Sequence, residues 1–456
     1  MKFSGVVFRL LGAITLVALT GCSGGFLGGG CLLCGPSADN LSGSISGLAG
    51  SRLAVQINST PGFQFNGPTA NGTNVLFGVA NFNSSYSVTV ATQPTNPSQT
   101  CVVANGTGTT SGTSNVTNIT VTCTTNPPRF VYVTNRGSNN VSAYTVDAIT
   151  GTLTAIAGSP FAAGSLPVAI AVDPTGTYLY VANQADADVS AFTIDRTSGQ
   201  LTAVNGSPFP TGSAPSGVAI DPSSSFVYVT SGDAGTVSTY TIKAGALVAA
   251  TGPPNATGTL PSSVTVSPLD DFLYVANQSD GTVSAYSIGS DGSLTAISGS
   301  PFAAGTGPRA VSVDPSGQYL YVANATSGTL SGYNSVQGPL SALSGSPYAT
   351  GSDPNSLAVD PLDRFVYVAN QGSGNISAYA LGTSGILTEL AGSPFAAAGG
   401  PSAVAADPTG QFIYTANAGS GNVSVLAINA ATGALSAVGG SPYTAGSLPS
   451  AIAISD

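Results

Sequence analysis

Short apolar runs broken by Gly, Pro, Asn and Asp clusters fill the chain from about Leu41 onward, a pattern of strands and tight turns. From Arg129 the pattern repeats. The hexamer FVYVTN at 130 returns as YLYVAN at 178, FVYVTS at 226, FLYVAN at 272, YLYVAN at 319, FVYVAN at 365 and FIYTAN at 412, seven copies 46 to 48 residues apart. Each unit holds four strand-like segments, seen in full at Ala169–Val172, Tyr178–Val181, Val189–Ile194 and Leu201–Val204. Four short strands at a period of about 40 to 50 residues make one propeller blade, so residues 129–456 are predicted to form a seven-bladed β-propeller in an all-β chain. The array opens on a second strand at Phe130 and ends on an orphan first strand, Ala451–Ile454, which predicts a ring closed by the C-terminal strand.

Smaller signals fit the same plan. Asp173-Pro174-Thr175-Gly176 recurs at 314 and 407 with Asp, Pro and Gly at the first, second and fourth positions of a type I turn, so these aspartates read as turn makers. One Asp per turn falls far short of the six to eight oxygens that calcium needs. GSPF or GSPY strings at 158, 206, 299, 345, 392 and 440 are expected to place an aromatic ring between neighbouring blades. Upstream, residues 41–125 alternate over short stretches such as Leu53–Ile57 and Tyr86–Val90, the pattern of a small immunoglobulin-like β-sandwich. Cys101 and Cys123 lie in strand-like runs, which predicts a disulfide stapling two strands after export. Asn126-Pro127-Pro128 makes a stiff break before the repeats.

At the N-terminus Lys2 and Arg9 precede the apolar run Leu10–Leu19, too short to span a bilayer but suited to a secretory signal over residues 1–21. The Gly-rich stretch to residue 40 reads as a tether. Within it Cys31 and Cys34 have CxxC spacing, with no second CxxC and no βαβ pattern around them, so a local disulfide is expected. Only 6% of residues are charged, and neither His nor Trp occurs. That excludes His-ligated metals and Ser-His-Asp triads, and no metal or cofactor is expected. The net charge of −10 removes the basic footprint that nucleic acid requires.

Leu19-Thr20-Gly21-Cys22 resembles the lipobox of bacterial lipoproteins, which implies cleavage before Cys22, lipidation of Cys22 and membrane attachment through it. Ser23 at the following position implies sorting to the outer membrane of the cell envelope, facing the periplasm or the surface. Across residues 129–456 the hexamers, DPxG turns and GSPF strings resemble the YVTN-repeat and lactonase-family seven-bladed propellers, 6-phosphogluconolactonase-like proteins among them. The resemblance implies the fold. It implies lactonase activity by analogy alone, because propellers host many functions. Such lactonases are thought to use histidine, arginine and carboxylate groups around the channel, and this chain supplies no histidine.

In a four-stranded blade the loop entering the first strand and the loop joining the second to the third share one mouth of the channel. After the proline that precedes each first strand stand Val168, Ser216, Ser262, Arg309, Asn355, Ser402 and Ser450; one residue ahead of it stand Leu166, Ala214, Leu260, Gly307, Asp353, Gly400 and Leu448. Arg309 and Asp353 are the single charges in these two rings and fall in adjacent units. They are the catalytic candidates, Arg309 steadying an oxyanion and Asp353 acting as general base, with a structural inter-blade salt bridge as the other reading. Arg136, Gln184, Gln278 and Gln371, directly after the second strands, are candidate binding groups. Glu389, in an outer strand, reads as an edge charge that blocks strand addition. Two functions follow: a monomeric, lipid-anchored binding module for a cell-surface protein or glycan, and, as the alternative, a hydrolase opening a sugar lactone.

Overall fold

The computed structural model describes residues 38–66, 70–94, 99–126, 129–336 and 338–455. Residues 1–37, where the signal sequence and most of the tether are expected, with Cys22, Cys31 and Cys34, lie outside them, as do Pro127-Pro128. The architecture is all-β. Seven sheets repeat one order, illustrated by blade 2: Pro167–Val172, Tyr178–Asn183, Asp188–Ile194 and Leu201–Ala203, each antiparallel to the next. Blade 1 takes its second to fourth strands from Phe130–Asn135, Asn140–Val146 and Leu153–Ala155, and the strand beside Phe130–Asn135 is the C-terminal Pro449–Ser455, with Ile452 opposite Val133 and Ile454 opposite Val131.

The hexamers do not alternate, because a second strand is covered on both faces by neighbouring blades. Every residue of Phe130–Asn135 is buried, as is every residue of Phe365–Asn370 and Phe412–Asn417. Each blade also carries a fifth strand that the four-strand pattern does not predict. In blade 1 the fourth strand pairs only with Tyr144–Val146, leaving Asn140 and Val141 open, and Phe161–Ala162 of the GSPF string fills that edge. Two residues are too few to register as a strand in sequence. The ring aromatic behaves as expected: Phe161 packs against residues of blades 1 and 2.

The third residue of each hexamer is a fully buried tyrosine. Six of the seven donate their hydroxyl to a backbone carbonyl of the following blade: Tyr132 to Gly199 at 2.9 Å, Tyr180 to Gly245 at 3.0 Å, Tyr228 to Gly292 at 3.3 Å, Tyr274 to Ser335 at 3.5 Å, Tyr321 to Gly385 at 2.6 Å and Tyr367 to Gly433 at 2.9 Å. Tyr414, in the last blade, has no partner for its hydroxyl. Tyr367→Phe is expected to cost about 1–2 kcal/mol, since it leaves a buried carbonyl unpaired, whereas Tyr414→Phe should be close to neutral. Denaturant melts of the two variants check this, and equal losses would contradict it.

At the opposite end of the blades the turns are built by their first residue. Asp173 accepts the backbone N–H groups of Thr177 at 2.7 Å and Tyr178 at 2.6 Å, and Gly176 N–H closes the turn onto the Asp173 carbonyl at 2.8 Å. Asp221 and Asp407 hold their turns in the same way. The fourth turn position lies in the left-handed region, with Gly at 176, 317 and 410 but Ser224, Asp270 and Asp363 in the other three turns. Asp363 is the costly one. Its Oδ1 is buried without a partner, Asp314 and Asp360 act on it, and Arg364, the next residue, is committed to Asp360 at 2.7 and 3.0 Å. Burial first, and then the two carboxylates, push the Asp363 carboxyl up to about 8. The folded chain thus binds this proton more tightly than the unfolded one, so stability declines as pH rises from about 4 towards 8. Asp363→Asn is expected to flatten that decline and to stabilise the protein at pH 9 by about 1 kcal/mol or more, one pKa unit being worth about 1.4 kcal/mol. Thermal melts at pH 5, 7 and 9 read the change; parallel curves for the two proteins would refute it.

Ahead of the blades lie two small sheets. One runs Gly72–Asn81, Ala38–Ser46, Val116–Thr125, Gln99–Ala104, and the other Thr60–Phe65, Leu53–Ile57, Ser85–Thr92, Thr107–Thr109. Both contribute to one core, Leu41, Ile45, Phe77 and Ile119 from the first meeting Leu53, Val55 and Val88 from the second. Cys101 and Cys123 stand directly opposite each other on neighbouring strands and form a disulfide. These sheets touch the propeller at a turn of blade 4, where Ser51 Oγ donates to the Pro268 carbonyl at 3.0 Å and Arg52 Nη1 lies 3.3 Å from Asp270 Oδ2.

Candidate functional site

The channel mouth is assembled by one backbone device used seven times. Ahead of each first-strand proline, Leu448, Leu166, Ala214, Leu260, Gly307, Asp353 and Gly400 all adopt φ between 49° and 66°. The carbonyl of each accepts the N–H of the residue that follows the neighbouring second strand, in ring order Arg136, Gln184, Gly232, Gln278, Ala325, Gln371 and Ala418, at 2.8–3.0 Å. A left-handed backbone costs a residue with a Cβ about 1–2 kcal/mol, yet only two of the seven positions are glycine.

Around the channel these clamps carry a second ring, the residues after the prolines. Ser450, Ser216, Ser262 and Ser402 donate to the carbonyls of Pro167, Pro261, Pro308 and Pro449 in the next blade at 2.5–3.0 Å. Their hydroxyls are therefore fasteners between first strands. The ring changes character in blades 5 and 6: Arg309 Nη1 donates to Asn355 Oδ1 at 3.1 Å, and Asn355 Nδ2 donates to Gln371 Oε1 at 3.0 Å and to the Ser402 carbonyl at 3.2 Å.

A cavity of about 400 Å³ occupies this mouth. Arg136, Gln184, Gln278, Arg309 and Gln371 all line it, so the structure brings together five of the six site residues expected from sequence. Asp353 stands at the rim, its Oδ1 3.4 Å from Arg309 Nη1, with the two side chains 40% and 34% exposed. Arg136 donates to Gln184 Oε1 at 3.0 Å. Two lining residues escaped the sequence reading. Asn355 stood in the ring after the prolines but carries no charge. Asp233 follows Ser231 by two, where the other blades have Gly137, Ala185, Ser279, Thr326, Gly372 and Gly419; the same break in the repeat that singles out Arg309 would have found it. Among the described residues no group of three His, Cys, Asp or Glu is placed to hold a metal ion. Glu389 ends the outer strand Leu387–Glu389, exposed and far along the blade from the mouth.

The sequence profile described as a seven-bladed β-propeller lactonase matches residues 85–212, 206–301 and 289–448. The chain belongs to the lactonase family. No curated protein matches its sequence. Among solved structures, a Bacteroides uniformis protein provisionally named a 6-phosphogluconolactonase aligns over 72% of this lactonase-family chain and 100% of its own, at 18% identity and a TM-score of 0.65. A Lactobacillus plantarum protein aligns over 73% and 100% at 22% identity and a TM-score of 0.62, and the periplasmic gluconolactonase of Pseudomonas aeruginosa over 72% and 99% at 19% and 0.61. At these identities the likeness establishes a shared fold. This lactonase-family mouth carries two arginines and two aspartates among otherwise neutral groups.

Proposed function

We propose that the protein opens a small lactone at this mouth, a sugar lactone in the first instance, using water as nucleophile. The observation that carries the reading is the convergence of Arg309, Asn355 and Gln371 from adjacent blades on one cavity shared with Arg136, with Asp353 beside Arg309 at its rim. Family membership and the names of the structurally similar gluconolactonases support it. Water attacks the lactone carbonyl carbon and Asp353 takes its proton. Arg309 donates to the oxygen on which negative charge develops, and the ring C–O bond breaks with the proton delivered to the departing alkoxide. Asp233, across the cavity, is placed to bind sugar hydroxyls.

A second reading, a binding module for a glycan or surface protein, is favoured by one observation: Arg309 and Asp353 already satisfy each other at 3.4 Å. The deciding experiment follows hydrolysis of glucono-δ-lactone and 6-phosphogluconolactone against the spontaneous rate. Turnover above background supports the hydrolase. Saturable binding without turnover selects the module.

The same proposal keeps the remaining expectations together. The chain is exported, lipid-anchored at Cys22 in the bacterial envelope and monomeric; its ring is sealed by Pro449–Ser455; and the two small sheets form an immunoglobulin-like sandwich over 41–125 that separates the tether from the propeller over 129–456. Support comes from the Leu10–Cys22 sequence, from the pairing of the C-terminal strand with Phe130–Asn135 and from the common core of the two sheets.

A further inference from the structure

The mouth is two-sided. Running round the ring from blade 1 to blade 4, the left-handed positions carry Leu448, Leu166, Ala214 and Leu260, and Val168 lines the cavity below them. The three leucines are 52%, 37% and 39% exposed. From blade 5 to blade 7 the same positions carry Gly307, Asp353 and Gly400, above the bonded set of Arg309, Asn355 and Gln371. Leu260 and Leu448 line the very cavity that Arg309 lines, and Leu260 leans over the loop of blade 3, where a Cβ on Gly232 would stand 3.7 Å from its Cδ1.

Nothing in the fold asks for these leucines. The clamp uses only their backbone carbonyls, and glycine makes the same clamp in blades 5 and 7 at lower conformational cost. Each therefore exposes an apolar side chain in a conformation that disfavours side chains, on an arc of the mouth where Arg136, Gln184, Asp233 and Gln278 also line the cavity. A purely polar sugar would meet Arg136, Gln184, Asp233 and Gln278 there but would leave the leucines wet and unused.

We propose that the ligand of this mouth is an amphiphilic lactone, one whose polar ring lies against Arg309 and Asn355 and which carries an aliphatic chain along the arc of Leu448, Leu166 and Leu260. The inference rests on the lactone reading above and narrows its substrate class. The arc is continuous with a cavity of only about 400 Å³, which suits one acyl or alkyl chain rather than the face of a protein.

The test separates binding from turnover by using γ-lactams, which hydrolysis does not consume, bearing methyl, butyl or hexyl chains. Calorimetry on the full chain is expected to show affinity rising about two- to fourfold per added methylene, the value of moving one CH₂ out of water. In the Leu166→Gly, Leu260→Gly, Leu448→Gly triple variant the dependence on chain length should vanish. Leu260→Asp alone, with the residue type that blade 6 accommodates at this position, should lessen it. A wild-type series flat in chain length overturns the inference even if aldonolactones are turned over. A graded series in a chain that hydrolyses no lactone leaves the apolar arc standing and removes the hydrolase. Self-association that the triple variant abolishes, with a flat lactam series, would show the leucines to be a contact between copies and would likewise overturn the inference.

Discussion

Arg309→Ala is expected to slow lactone opening about a hundredfold or more, the usual effect of removing one donor to a developing oxyanion, while leaving the melting transition almost in place. The two halves of the expectation come from different properties of the same side chain. Its ion pair with Asp353 is 3.4 Å long and about a third exposed, and such pairs contribute roughly 0–1 kcal/mol to stability. Its hydrogen bond to Asn355 is the other loss, and Asn355 keeps Gln371 and the Ser402 carbonyl as partners. A merely structural role for Arg309 predicts the reverse, a stability change with little effect on rate. Arg309→Lys retains the charge but not the paired donors, so intermediate activity is expected. Asp353→Asn should abolish most of the remaining rate by removing the proton acceptor while preserving the left-handed backbone that Asn tolerates. Steady-state rates beside thermal melts for the three variants distinguish these roles.

Deleting residues 448–456 is expected to have the largest effect on stability. The truncation removes the first strand of blade 1, whose six register pairs with Phe130–Asn135 would be left open, and exposes the cluster in which Ile452 and Ile454 pack with Val131, Val133 and Tyr414. Ile452 and Ile454 are partly buried, so together they contribute a fraction of the roughly 3–6 kcal/mol that two fully buried isoleucines would. The mouth loses contacts too: the Leu448 carbonyl no longer clamps Arg136, and Ser402 and Thr134 lose Pro449 and Ser450. A lower transition, exposed hydrophobic surface and a newly protease-sensitive Phe130–Asn135 segment are the expected results. An unchanged melting temperature would mean that this strand is not the seal of the ring.

The blades were legible because burial on both faces forces a repeating apolar hexamer, and the repeat in turn makes exceptions visible. Arg309 and Asp353 stood out as charges in rings of neutral residues, and they meet in space. Other features left no comparable trace. The fifth strands are two residues long, shorter than any period. The contacts of Ser51 and Arg52 with Pro268 and Asp270 join positions more than two hundred residues apart, with no motif at either end. Asp233 was readable but lies one residue beyond the ring that was compared. The clustering of leucines on one arc of the mouth was present in the order Leu, Leu, Ala, Leu, Gly, Asp, Gly, yet its meaning depends on knowing that all seven positions share one backbone conformation.

The place where the N-terminal sheets meet the propeller gives the molecule a front and a back. Pro268 and Asp270 belong to the turns at the far end of the blades from the cavity. The small sheets are thus joined to the propeller behind the cavity, and the mouth stands clear of the contact that Ser51 and Arg52 make.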